Sequence, residues 1–176
     1  GGPGAGGRSQ AVVGGAPRRS MASTGPELTF VTEPLAEDLR VTGHPVLSLR
    51  IAAAIPDVDV YAVLEDLAPD GTATSYAMNG QLRASHRALA EPPFDNLGLP
   101  WHSHMEADAM PLVPGKPAVL EIEMFPMSYH FSRGHQVRLR LMFADPDGSP
   151  SGEDTVDVLV GAGQQSVLTL PVIPAG

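Results

Sequence analysis

His102-Ser103-His104, followed by Glu106 and Asp108, puts two imidazoles and two carboxylates into one short span. Two histidines with a carboxylate are a feasible zinc set. No strand is predicted around them to fix the ring directions, and no outer partner to orient the rings can be named. The expectation is therefore a solvated or interface loop with no metal. Serine, histidine and aspartate are plentiful enough for a hydrolytic triad, but a triad needs its nucleophile on a tight turn beside a base that an acid orients. The Gly-x-Ser-x-Gly elbow occurs nowhere, and its nearest approach, Gly7-Arg8-Ser9-Gln10-Ala11, lacks the second glycine. The acid pairs Glu65-Asp66 and Glu121/Glu123 have the side chains that glycoside hydrolysis uses. Acids that alternate along strands are more simply the wet face of a sheet. No catalytic residue and no cofactor is assigned to this chain.

The elements that would carry these residues are strands. In Val46-Leu47-Ser48-Leu49-Arg50-Ile51 the leucines and isoleucine share one face and the serine and arginine the other, as in a half-wetted strand. The period recurs at 57–61, 120–124, 137–143, 155–160 and 167–172. Leu28–Thr32 and Leu39–Thr42 are weaker strands, and Thr72–Arg87 reads as one more, bulged at Asn79-Gly80. Pro69-Asp70-Gly71, Pro114-Gly115-Lys116-Pro117, Arg133-Gly134 and Pro146-Asp147-Gly148 are turn sequences. No window supports a helix longer than two turns. The pattern predicts an all-β antiparallel sandwich or barrel.

The chain has 176 residues, about one domain, and no cysteine, which removes thiol catalysis, thiolate metal sites and disulfide frameworks. With 20 acidic against 11 basic side chains the net charge is −9, so nucleic acid and anionic membrane surfaces are poor partners. No apolar run reaches the length of a membrane span and no leader-like segment opens the chain, so a soluble protein is expected, with a cytoplasmic setting favoured though composition fixes no compartment. Residues 1–26 hold three arginines, eight glycines, three prolines and no acid, and read as a flexible linker ahead of a sandwich over 27–176. A phosphate-cradling loop would need a strand before it and a Gly-Lys-Ser/Thr ending, which are lacking. The first residue is Gly rather than Met, which suggests a piece of a longer polypeptide.

Residues 88–113 break the strand rhythm. Pro92, Pro93, Pro100 and Pro111 alternate there with Phe94, the single Trp101, Met105 and Met110. A loop of this length in a compact domain is usually functional. Phe94, Trp101, Met105 and Met110 are the candidate contact residues for another domain, with Trp101 as anchor and charged neighbours at its rim. The simpler reading, equally weighted, has Trp101 filling one end of the sandwich. Phe94, Trp101 and Tyr129 are also the candidates for a sugar-stacking platform, which would make the chain a free-standing carbohydrate-binding or adhesion module.

Six ordered segments carry a resemblance. They are Leu28–Gly43, Pro56-Asp57-Val58-Asp59-Val60-Tyr61 through Pro69-Asp70-Gly71, Gly80-Gln81-Leu82-Arg83-Ala84-Ser85-His86-Arg87, Pro111–Pro117, Phe125–Leu139 with its Arg133-Gly134-His135-Gln136-Val137-Arg138 run, and Leu170-Pro171-Val172-Ile173-Pro174. Together they resemble the C-terminal non-catalytic domain of the cocaine esterase/glutaryl acylase-like (CocE/NonD) hydrolases, which include X-Pro dipeptidyl peptidases and α-amino acid ester hydrolases. The chain departs from that pattern at Met142–Gly148, where the family has a Ser-rich segment, so no pocket contact is carried over from that stretch.

The resemblance implies a jelly-roll, galactose-binding-like β-sandwich that follows an α/β-hydrolase domain, whose Ser, Asp and His all lie upstream of the matched segments. The implied partner is that catalytic domain, in the same chain or as a separate subunit, and a homo-oligomer is compatible with it. The implied role is to stabilise the parent and wall its pocket, without hydrolysing anything alone. Within this reading Phe125–Arg138 is a strand pair with a tight turn at Gly134, serving core packing.

Overall fold

The computed structural model describes residues 8–13, 18–22, 25–75, 79–152, 155–159 and 166–173. Its strands are β1 (Arg8–Val13), β2 (Arg18–Ala22), β3 (Gly25–Val31), β4 (Leu39–Gly43), β5 (Val46–Ala53), β6 (Asp59–Leu67), β7 (Ala73–Ser75), β8 (Gly80–Arg83), β9 (Ala118–Glu123), β10 (Met127–Phe131), β11 (Gln136–Ala144), β12 (Val156–Val158) and β13 (Ser166–Ile173). Among the described residues the only helical pieces are two 3-10 turns, Ala84–His86 and Glu106–Asp108. None is long and apolar enough to cross a membrane.

The strands form two antiparallel sheets packed as a sandwich. The first runs β10-β4-β13-β5-β12, with β1 also on β13 and β9 on β5. The second runs β2-β3-β11-β6-β7, with β8 also on β6. The period-two pattern decides which side chains meet between them. Leu47, Leu49 and Ile51 of β5 and Leu141 of β11 are fully buried, while Ser48, Arg50, Arg138 and Arg140 between them point outward. Leu120 and Ile122 of β9 and Val60, Ala62 and Leu64 of β6 complete the same core. Each leucine, isoleucine and valine among them contributes about 1.5–3 kcal/mol through burial.

Two features hold charge inside this fold. On the outer face of the second sheet, Glu65 is 4% exposed and accepts a bond from Arg138 Nη2 at 2.9 Å. Its Oε1 lies 3.2 Å from Arg140 Nη1 as an ion pair without well-aimed hydrogen-bond geometry, and Arg140 also binds Glu27. At one end, Asp66 of β6 accepts the Tyr129 hydroxyl at 2.6 Å and meets His135 Nδ1 at 2.7 Å. Tyr129 is on β10 in the first sheet, so this carboxylate ties the two sheets together.

Three expectations need correction. The 1–26 linker reading fails where this stretch is described: β1 pairs with β13 from Arg8↔Pro171 to Val13↔Ser166, β2 pairs with β3 from Arg18↔Thr29 to Ala22↔Gly25, and β3 itself begins at Gly25. Strand addition through main-chain bonds needs no apolar face, which is the signal composition lacks. Phe125–Arg138 holds no strand pair, because β10 joins β4 and β11 joins β3 and β6. The turn at Gly134, φ +84°, instead carries the chain from one sheet to the other. Thr72–Arg87 is two short strands on β6. Ser75 faces Glu65 and Gly80 faces Ala62, so the chain carries two more residues than the ladder opposite. Asn79 fixes this excess by accepting the Leu64 N–H at 2.7 Å. Val160, at the end of the expected strand 155–160, and Pro174, at the end of the last segment that carries the resemblance, lie outside the described residues.

Candidate functional site

The loop between β8 and β9 is pinned at several points. Asp57 accepts from both the Ser85 N–H (2.9 Å) and its hydroxyl (2.7 Å), holding the 3-10 turn 84–86. The turn then holds the far end of the loop, since Met110 N donates to Ser85 O at 2.8 Å and Arg87 reaches the Met110 carbonyl. Leu112 N donates to Pro56 O at 2.7 Å, and the Leu112 side chain is buried in the core. In the middle, Ala90 N donates to Trp101 O at 3.0 Å, and His102 Nε2 lies 2.7 Å from the Glu121 carbonyl on β9.

Two residues of this loop hold a backbone conformation that L side chains rarely adopt. Leu97 has φ +61° and His104 φ +55°, the only non-glycine positive values among the described residues. For a residue as bulky as leucine this costs energy that its surroundings must offset, and such strain clusters at functional sites. Leu97 gets little in return from burial, because it is 77% exposed.

The four expected contact residues fall into two pairs. Phe94 and Trp101 meet edge to face with ring centroids 6.4 Å apart, Phe94 exposed and Trp101 half-buried. Met105 and Met110 flank the 3-10 turn 106–108, both exposed. Leu89, Leu97 and Val113 add to the apolar side chains this loop leaves in water. Trp101 also walls a groove of about 720 Å³ shared with Val46, Leu89, Asn96, Leu99 and Glu121. Trp101 thus packs partly on the sandwich and partly on an open groove. Within residues 88–113 the ionisable side chains outside histidine are Glu91, Asp95, Glu106 and Asp108, while the cations Arg87 and Lys116 stand just outside that stretch, Arg87 on the Met110 carbonyl.

The metal set considered from sequence does not assemble. Asp108 is taken up by the Ser103 hydroxyl, and the His102 ring nitrogens face the Ala88 and Glu121 carbonyls. No three His, Cys, Asp or Glu side chains converge among the described residues. His104 instead meets His86, which sequence reading left in a strand. The two Nδ1 atoms are 3.3 Å apart and the rings nearly perpendicular at 76°. Burial, then the neighbouring His86 and His102, lowers the His104 pKa. Tyr129 leaves the stacking platform: its ring packs on Phe131 at 4.7 Å and its hydroxyl is committed to Asp66.

Residues 11–163 match the family model described as the X-Pro dipeptidyl-peptidase C-terminal non-catalytic domain. The chain belongs to this family. Curated relatives from Mycobacterium bovis and Mycobacterium tuberculosis, both provisionally named serine esterases, are 37% identical over 174 residues, covering 94% of the chain. The chain spans 27% of their length. Among solved structures, a CocE/NonD family hydrolase from Staphylococcus aureus superposes with a TM-score of 0.67 at 18% identity, over 95% of this chain and 33% of that one. An α-amino acid ester hydrolase gives 0.62 at 21% identity, over 83% of this chain and 25% of that one. An aminopeptidase from a marine sediment archaeon gives 0.61 at 22%, over 84% and 26%. These likenesses show the same sandwich fold within larger chains.

Proposed function

We propose that this chain is the accessory β-sandwich of a serine α/β-hydrolase, docking on the catalytic domain through residues 88–113. In this role it stabilises the parent and helps wall its substrate pocket. The parent would transfer an acyl group from an ester, amide or X-Pro peptide to water through a serine acyl-enzyme. The observation that carries the reading is the combination of family and surface. A non-catalytic domain that matches only 27% of its relatives' length presents one loop of exposed apolar side chains, strained and firmly anchored. Exposed apolar side chains gathered in one loop support an interaction site, and Trp101 is the residue type that dominates such interfaces.

The test is Trp101→Ala in the full-length hydrolase and in the isolated chain. The expected result is a lower melting temperature for the hydrolase and nearly unchanged stability for the isolated sandwich. An equal loss in both would reject the docking role and leave Trp101 as sandwich packing. The groove beside Trp101 and Phe94 supports a second reading, a glycan-binding module, because it joins an aromatic ring to the side chains of Asn96 and Glu121. Glycan-array binding by the isolated chain that Trp101→Ala abolishes would favour that reading.

A further inference from the structure

We propose that His86 and His104 form a two-imidazole chelate for a divalent transition metal such as Zn²⁺ or Cu²⁺. Two nitrogens each about 2.0–2.1 Å from a zinc ion, at the tetrahedral angle to one another, sit about 3.3 Å apart. The two Nδ1 atoms are separated by 3.3 Å. Imidazole suits both ions, whereas Mg²⁺ and Ca²⁺ prefer oxygen.

Both rings are held from their neighbours in the chain. His86 ends the 3-10 turn that Asp57 fixes through Ser85 and that Arg87 closes onto Ala84 O at 3.1 Å. His104 lies between Ser103, whose hydroxyl donates to Asp108, and Met105, whose N–H donates to Ser103 Oγ at 3.3 Å. One residue earlier, His102 is bound to β9. His104 sits in the left-handed region at φ +55° and its Nδ1 lies 3.3 Å from that of His86, so the strained residue is one of the two that meet. The contact is exposed, so solvent has access to the remaining positions of a bound ion.

The proton balance is simple. Without metal, the Nδ1 contact is a hydrogen bond only when one Nδ1 carries a proton and the other a lone pair. The metal takes a lone pair from each, and the displaced proton moves to Nε2 of its own ring. Two neutral histidines therefore bind the ion with no net proton released. Bound metal would clip the contact loop to the turn that follows β8.

Zinc titrated into the whole chain by calorimetry tests the site, with Mg²⁺ as the hard-cation control. One zinc per chain is expected, with a rise in thermal midpoint. His86→Gln and His104→Asn should each weaken binding by more than the roughly 10–100-fold that losing an outer partner costs. Asn is chosen because it tolerates positive φ. His130→Gln, in β10, should bind as the parent does. Copper bound to the unaltered chain should show two nitrogen ligands by electron paramagnetic resonance, a readout that does not depend on any variant folding. No bound zinc, a single nitrogen ligand, or binding unchanged in either His86→Gln or His104→Asn overturns the proposal.

Discussion

Replacing Tyr129 by Phe removes one oxygen atom from the bond that joins the two sheets. The Phe ring keeps the 4.7 Å edge-to-face contact with Phe131, so packing is conserved. What is lost is the hydroxyl donated at 2.6 Å to Asp66, a carboxylate 8% exposed. A hydrogen bond to a charged group contributes about 1.5–3 kcal/mol net. Asp66 keeps its contact with His135 Nδ1 at 2.7 Å, so the lower part of that range, about 2 kcal/mol, is expected. For a chain of this size that is roughly 4–8 °C in melting temperature. Urea unfolding followed by Trp101 fluorescence and by circular dichroism should show a lower midpoint at unchanged slope, the sign of lost stability rather than altered compactness. The cycle with Asp66→Ala should show coupling of about 1 kcal/mol or more, since the two groups touch. A Tyr129→Phe loss under about 0.5 kcal/mol, the range of ordinary surface changes, with no coupling, would refute the view that this bond ties the sheets.

Glu65→Ala should be among the costliest changes on the second sheet. It leaves Arg138 and Arg140 facing each other without the carboxylate between them, at about 3 kcal/mol, the low end for breaking a buried pair, because both guanidinium groups are partly in water. Urea midpoints measure it, and a loss near zero would mean that solvent replaces the carboxylate at no cost. Stability should also fall as pH drops. The folded pKa of His104 lies below the ordinary histidine value of about 6.5, so the unfolded chain binds more protons from that value downward, through the folded pKa. Comparing His104→Asn with the parent between pH 7.5 and pH 5, values that bracket the ordinary His pKa of about 6.5, should give a flatter profile in the variant; parallel profiles would remove His104 as the cause.

The sandwich was legible because its signal is local. Leu47, Leu49 and Ile51, or Val137, Leu139 and Leu141, announce a strand and its buried face within six residues. Which strands pair is another matter. Nothing within Phe125–Arg138 says that β10 and β11 enter different sheets, because the same alternation serves a hairpin and a crossover equally. The strands β1 and β2 were invisible for a related reason: β13 and β3 supply their main-chain partners, from residues more than 150 positions away in one case. Asp66 reads as one more acid on a wet face until β10 and the Gly134 turn bring Tyr129 and His135 to it.

The loop between β8 and β9 shows the opposite balance. Its composition marked Phe94, Trp101, Met105 and Met110, and all but the half-buried Trp101 are exposed. What composition could not give is the reason they stay exposed. A loop this rich in apolar side chains could fold onto the sandwich and bury them, at about 25 cal/mol per Å². It is prevented by bonds that hold both of its ends and its middle, from Ser85 to Met110, from Pro56 to Leu112 and from Glu121 to His102. The positive φ of Leu97 and His104 is part of the same restraint, since each spends backbone energy on an arrangement that burial alone would not select. An isolated domain gains nothing from this. A domain whose loop must meet another surface without first rearranging gains affinity, because the ordering cost has been met during folding.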